Sequence, residues 1–240
     1  MTPLLYAGVA ALANVVGGIA VARSATRGLR FIHGCVAFGA GFMLSVALLG
    51  MLPEAFRIGG DEAAAFILLG YLLVHFTQHT VVPHFHFGEE THAISRVAGV
   101  SALVGLLLHT FFDGVAIASG FAVSTELGIL LVVAIVLHKL PEGVTISSIQ
   151  IAGGLSRAAA VGSAALLGAA TLLGVLLTDS VGFLTAHGLS LSAGVTIYVA
   201  ASNLVPEFQH RRGRFMPLMF FLGAGSYFLA RVLVRSIGIG

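Results

Sequence analysis

Residues 127–149 read LGILLVVAIVLHKLPEGVTISSI. Apart from one short polar island the segment is apolar on every face, and its length matches the roughly 20 residues that carry a helix across a hydrocarbon core of about 30 Å. It is too long and too uniformly apolar for a barrel strand, and in lipid every backbone amide must be satisfied within the segment. The segment is therefore expected to be a membrane helix. The island, His138-Lys139-Leu140-Pro141-Glu142-Gly143, is where chemistry is expected, because each ionisable group at that depth costs at least about 2.5 kcal/mol on insertion scales.

Seven further runs of the same character flank it: Leu4 to Ala22, Phe31 to Leu52, Ala63 to Val82, Val97 to Ser119, Ala158 to Leu177, Leu191 to Val205, and Phe215 to Val234. The 240 residues are 58% apolar and 9% charged, with a mean hydropathy of +1.02, whereas an ordinary soluble domain carries about 25% charge. The expected fold class is an all-α polytopic membrane protein with eight transmembrane helices, forming a single transmembrane domain over residues 1–240. Disorder, a collagen-like chain and nucleic-acid partners are excluded by the same composition. Cys35 is the only cysteine, which removes an intramolecular disulfide and thiolate zinc sites. The first basic residue, Arg23, follows the first apolar run, so that run is expected to stay in the protein rather than be cleaved.

Alternating the connections between two sides groups Arg23, Arg27, Arg30, Arg96, Arg157, Arg211, Arg212 and Arg214 against Arg57, Arg231 and Arg235. The positive-inside rule then makes the first group cytoplasmic and puts both termini outside, in the plasma (inner) membrane. An internal echo is also visible. Met51-Leu52-Pro53-Glu54 closes the second run and Leu204-Val205-Pro206-Glu207 the seventh, on opposite faces under this topology. That is the signature of inverted repeats in a 3+2+3 arrangement, with chance as the alternative, and it leaves runs four and five as the central pair.

Run four holds His109-Thr110-Phe111-Phe112-Asp113-Gly114, and run five repeats the pattern with His138 and Glu142. A histidine and a carboxylate four residues apart share one helix face, one turn apart. Facing each other, His109, Asp113, His138 and Glu142 offer two imidazoles and two carboxylates. Such a set suits Zn2+ and, less selectively, Fe2+, Mn2+, Co2+ or Cd2+, and its two negative charges neutralise a divalent ion. The alternative is a hydrogen-bonded network that only joins the helices. Pro141 removes an amide donor and crowds the Leu137 carbonyl, loosening the helix at the cluster. Gly114 and Gly143 permit close helix approach.

On these residues the sequence resembles the ZIP family of divalent metal transporters. The resemblance rests on His109 to Gly114, His138 to Gly143 and the Pro-Glu endings at Glu54 and Glu207. It implies that His109, Asp113, His138 and Glu142 are the primary transport ligands, that the ligand-bearing helices shift as a body, and that a homodimer forms. The chain also departs from the family. Thr110 stands where members often have Asn, Lys139 stands where they have an acidic or polar residue, and run six has no acid, with Ala170 near the matching position. A second metal position at Thr110 and Lys139 is thus expected to be abolished, with the Lys139 ammonium in place of the second ion. The region Gly50-Met51 lacks the histidine that many relatives place before the first ending.

Between runs three and four lie His75, His79, His84, His86, His92, Glu89 and Glu90, either a cytoplasmic cluster that receives metal or a solvated loop. Glu54 is expected at the outer mouth and Glu207 with His210 at the exit, while Asn203 and Ser202 face the pathway or, with more weight, bond to a neighbouring helix. The expected activity is secondary transport of one divalent ion towards the cytoplasm, with the metal as substrate, the bilayer as surroundings, no catalytic cofactor and no enzymatic role. Neutral imidazoles are needed for binding, so uptake should weaken below about pH 6. An intramembrane zinc metallohydrolase and a metal efflux protein are the alternatives from other classes. Four protein ligands leave no catalytic position, and no His-Glu-x-x-His run occurs.

Overall fold

The computed structural model of the chain describes residues 2–23, 29–78, 96–206 and 214–236. Its helices are α1 (Thr2–Arg23), α2 (Leu29–Val46), α3 (Leu52–Gly59), α4 (Glu62–Phe76), α5 (Arg96–Val123), α6 (Thr125–Ala152), α7 (Arg157–Thr178), α8 (Gly182–Tyr198) and α9 (Phe215–Ser236), and no strand occurs among the described residues. The all-α polytopic membrane fold read from the sequence is what the chain adopts. The outward faces agree, with Leu5, Leu12, Phe221, Leu229 and Val232 each more than 60% exposed.

The count of eight spans needs refinement. Among the described residues seven helical stretches are long and apolar enough to cross a bilayer, and Glu62–Phe76 is a shorter apolar helix. Its 15 residues rise only about 22 Å at 1.5 Å per residue. The seventh span, expected from Leu191, runs from Gly182 to Leu204. Within it the His187 imidazole stacks on Phe66 of α4 with ring centroids 3.7 Å apart.

Both Pro-Glu endings are preceded by a turn of π-helix, at Ala47–Met51 before Pro53 and at Val199–Leu204 before Pro206. A proline lacks the amide that the carbonyl four residues earlier requires, and re-registering the ladder by one residue absorbs the misfit. The packing carries the same symmetry. The contact of α1 with α6 corresponds to that of α7 with α5, α2 with α9 to α8 with α4, and α2 with α6 to α8 with α5. Each pair is obtained from the other by exchanging the first three spans with the last three and α5 with α6. This is the pairwise pattern of an inverted repeat.

Helices α1, α5, α6 and α7 pack mutually as one bundle, flanked by the pairs α2/α9 and α4/α8. Only Ser124 separates α5 from α6; it is extended (φ −161°, ψ 153°), and its hydroxyl accepts from the Leu127 amide at 3.1 Å. So short a connection forces the two helices antiparallel and side by side. His109 and His138 lie almost equally far from this turn along the chain and therefore meet across it.

The bundle closes tightly at the two glycines that follow the acids. A Cβ on Gly143 would lie 2.0 Å from the Asn14 carbonyl oxygen of α1, and one on Gly114 would lie 2.0 Å from the Thr171 carbonyl oxygen of α7. Overpacking a core costs about 1–3 kcal/mol, and backbone atoms give way less readily than side chains. Gly143→Ala and Gly114→Ala are therefore expected to lower the melting temperature of the detergent-solubilised protein by several degrees. Gly162→Ala, whose Cβ would meet nothing within 4 Å, should leave it unchanged. Equal melting temperatures for the three variants would contradict this packing.

Candidate metal site

The four residues read from the sequence come together. His109, Asp113, His138 and Glu142 each present one donor atom such that all four lie within 4.8 Å of one another. All are buried; Glu142, at 9%, is the most exposed of them. Asp113 Oδ2 lies 3.3 Å from His109 Nε2 and 3.4 Å from His138 Nε2, and the two imidazole centroids are 5.5 Å apart.

Hydrogen bonding orients these groups. His138 Nδ1 lies 2.9 Å from the Ala134 carbonyl oxygen. A carbonyl only accepts, so Nδ1 carries the proton, and this bond turns Nε2 towards Asp113 Oδ2. Two further donor atoms, His109 Nδ1 and Glu142 Oε1, are buried without a hydrogen-bond partner. Buried polar atoms are rarely left so, and both belong to the cluster. Donors around a tetrahedral ion with bonds near 2.1 Å stand roughly 3.4 Å apart, so side-chain movements of about 1 Å suffice to close the set on an ion.

The second-site positions carry different chemistry. Thr110 is fully buried, and its hydroxyl is shared between the Leu106 and Leu107 carbonyls, each at 3.0 Å. Lys139, also fully buried, places Nζ 2.6 Å from Asp113 Oδ2 and 2.8 Å from Glu142 Oε2. Among the described residues no other acid joins the cluster.

A cavity reaches the site from one end. His109, His138 and Glu142 form its floor, and Leu106, Thr145, Val199 and Asn203 contribute to its walls. These wall residues lie towards the end of the bundle where α1 finishes at Arg23 and where α5 and α7 begin at Arg96 and Arg157. Towards the other end the site is covered by Met43, Val46, Ile117, Leu131 and Ile135, none more than 3% exposed. A bond from Ser192 Oγ to the Phe112 carbonyl at 3.1 Å ties α8 to α5 beside the site.

The remaining expected residues are distributed around this cavity. Asn203 is on its wall, whereas Ser202 bonds to Tyr71 of α4 at 3.2 Å, so of the two it is Ser202 that joins helices. Glu54 lies on α3, where the guanidinium of Arg57 donates to it. His75 stands edge-on to Tyr198, with centroids 5.8 Å apart. Glu207, His210, His79, His84, His86 and His92 fall outside the described residues. Pro141 is accommodated within a continuous α6, and a Cβ on Gly39 of α2 would lie 3.6 Å from the Leu137 carbonyl that it crowds.

Three features escaped the sequence reading. Every helical histidine has a carbonyl four residues back, so nothing marked Ala134 as the partner of His138. Asn14, with both side-chain polar atoms buried and unpartnered, was detectable as a polar residue within the first apolar run. Arg231 and Arg235, one turn apart, both donate to Glu126, at 3.0 and 2.8 Å. Their spacing was legible, but the acid on α6 that neutralises them was not.

The geometry defines a class: a polytopic helical membrane protein with a buried imidazole–carboxylate cluster, suited to a divalent cation, at the floor of a one-sided cavity. Within that class the chain belongs to the ZIP zinc transporter family, whose model matches residues 86–231. The match takes in more than half of the chain, including the four donors and α5 to α8, and leaves α1 to α4 outside it. A search among curated proteins finds no match. Members of the family are metal transporters rather than enzymes, and metal ions are their transported substrates.

Removing one of four donors should weaken binding at least as much as the roughly 10–100-fold that loss of a second-shell partner costs. Zinc titrated into purified His138→Ala and Asp113→Asn by calorimetry should show this loss, with melting temperatures close to wild type. Affinity unchanged in both variants would place the ion elsewhere.

Proposed function

We propose that the chain is a secondary transporter that carries zinc or a related divalent ion towards the cytoplasm, one ion at a time. The ligands are His109, Asp113, His138 and Glu142. One observation carries this reading: four convergent donors on adjoining helices sit at the end of a cavity that opens to one side of the bundle and is sealed by apolar side chains on the other. A transport site alternates between two such states.

The distribution of charge supports the inward direction. The cavity opens towards the end that bears Arg23, Arg96 and Arg157, and the positive-inside rule makes that end cytoplasmic. The termini then lie outside a plasma (inner) membrane, and the cavity is a release route with Asn203 on its wall; Glu207 and His210, which follow in sequence, would take up the departing ion. Glu54 lies near the opposite, entry face. All four ligands belong to the bundle of α1, α5, α6 and α7, which supports movement of that bundle as a unit against the α2/α9 and α4/α8 pairs.

A single ion per crossing is favoured by the groups at the neighbouring position. The Thr110 hydroxyl is engaged by backbone carbonyls, and the Lys139 ammonium already sits on both acids. A second divalent ion there would meet strong short-range repulsion in a poorly solvated site. Residues His75, His79, His84, His86 and His92 would receive the ion after release, so their loss should alter rate and regulation more than central-site affinity.

Uptake of radioactive zinc into proteoliposomes tests the reading. His109→Ala and Glu142→Ala should each lower the initial rate by at least about tenfold while the protein stays folded, and uptake should follow the orientation in which the arginine-rich face lies inside. Wild-type rates in both variants, or hydrolysis of lipid or peptide by the pure protein with no ion movement, would overturn it.

A further inference from the structure

Lys139 is the one fully cationic side chain that touches the cluster among the described residues, and it touches both acids at once. With neutral imidazoles the empty site therefore carries two carboxylates and one ammonium, a net charge of −1. A divalent ion brings the loaded site to +1. If Lys139 were neutral, the same two states would be −2 and 0.

The difference bears on which half of a transport cycle is hindered. The penalty for holding a charge in a poorly polarisable medium grows with the square of that charge. Charges of −1 and +1 are penalised alike, so the loaded and the empty site cross on comparable terms. With −2 and 0 the loaded site would cross freely, whereas the empty one would meet about four times the penalty of a single charge. The ammonium is also on hand to refill the site: as the ion departs, Nζ is within hydrogen-bond distance of the same oxygens, Asp113 Oδ2 and Glu142 Oε2. Glu142 Oε1, buried and unpartnered, remains for the ion.

From this juxtaposition we infer that Lys139 is the tethered counter-ion of the empty carrier: it occupies the two acids when the divalent ion has left and so permits the unloaded site to return. This rests on the reading of the cluster as the transport site. It assigns Lys139 a positioning role for the acids and a part in the cycle that metal binding alone does not require.

Two flux measurements on the same proteoliposomes separate the limbs. Net uptake into metal-free vesicles needs the empty site to return, whereas exchange of labelled for unlabelled zinc uses the loaded crossing alone. Lys139→Met and Lys139→Gln should lower the ratio of net uptake to exchange by at least about tenfold, and Lys139→Arg, which keeps the charge, should hold the ratio close to that of wild type. A merely structural lysine would change both fluxes together, and an unaltered ratio in the neutral variants overturns the inference. The wild type supplies a second readout that needs no substitution. Because the loaded site carries +1, exchange should change with an imposed membrane potential, and exchange insensitive to potential overturns the inference even if the neutral variants fail to fold. If wild type moves no zinc in either assay, it is the transport reading that fails.

Discussion

Two carboxylates held between apolar helices must be matched by positive charge, and most of what is distinctive in this chain follows from that requirement. Asp113 and Glu142 are almost without access to water. Leaving an acid ionised and unpaired at such depth is prohibitive, whereas a paired one can be kept at moderate cost. The neighbouring imidazoles, a lysine that reaches both acids and a cavity open on one side are three ways of meeting the same demand. In the transport reading proposed above, the first would hold an ion, the second would balance its absence, and the third would let it pass.

Meeting that demand in lipid places limits on the backbone. The donors come from two helices joined by one residue, and they meet because the turn at Ser124 fixes the helices side by side. The glycines after each acid let α1 and α7 press against α6 and α5 at backbone distance. The cavity reaches the site from the side of Thr145 and Asn203. An opening on one side with apolar closure on the other is the condition for moving an ion without a continuous pore.

The fold class and the convergence of His109, Asp113, His138 and Glu142 were legible because their signals are local and repeated. Hydropathy marks spans wherever lipid is the solvent, and a histidine four residues before an acid, seen in two adjacent spans, leaves few other readings. What was hidden depends on partners distant in sequence. Whether Lys139 would face a second ion position or bridge the acids is set by how α5 and α6 cross. The seventh span begins at Gly182 rather than Leu191, and its first turns hold His187 against Phe66 of another helix. The paired Pro-Glu endings were the reverse case: a short echo whose meaning emerges from the matching π-turns and the matching pairs of packed helices.

The central claim is that one divalent ion binds between α5 and α6, held by two imidazoles and two carboxylates. Anomalous scattering from crystals grown with cadmium locates the ion directly. A single peak within bonding distance of His109, Asp113, His138 and Glu142 is the expected result. Two peaks in the site, or a peak at some other part of the chain with these four side chains turned away from it, would contradict it.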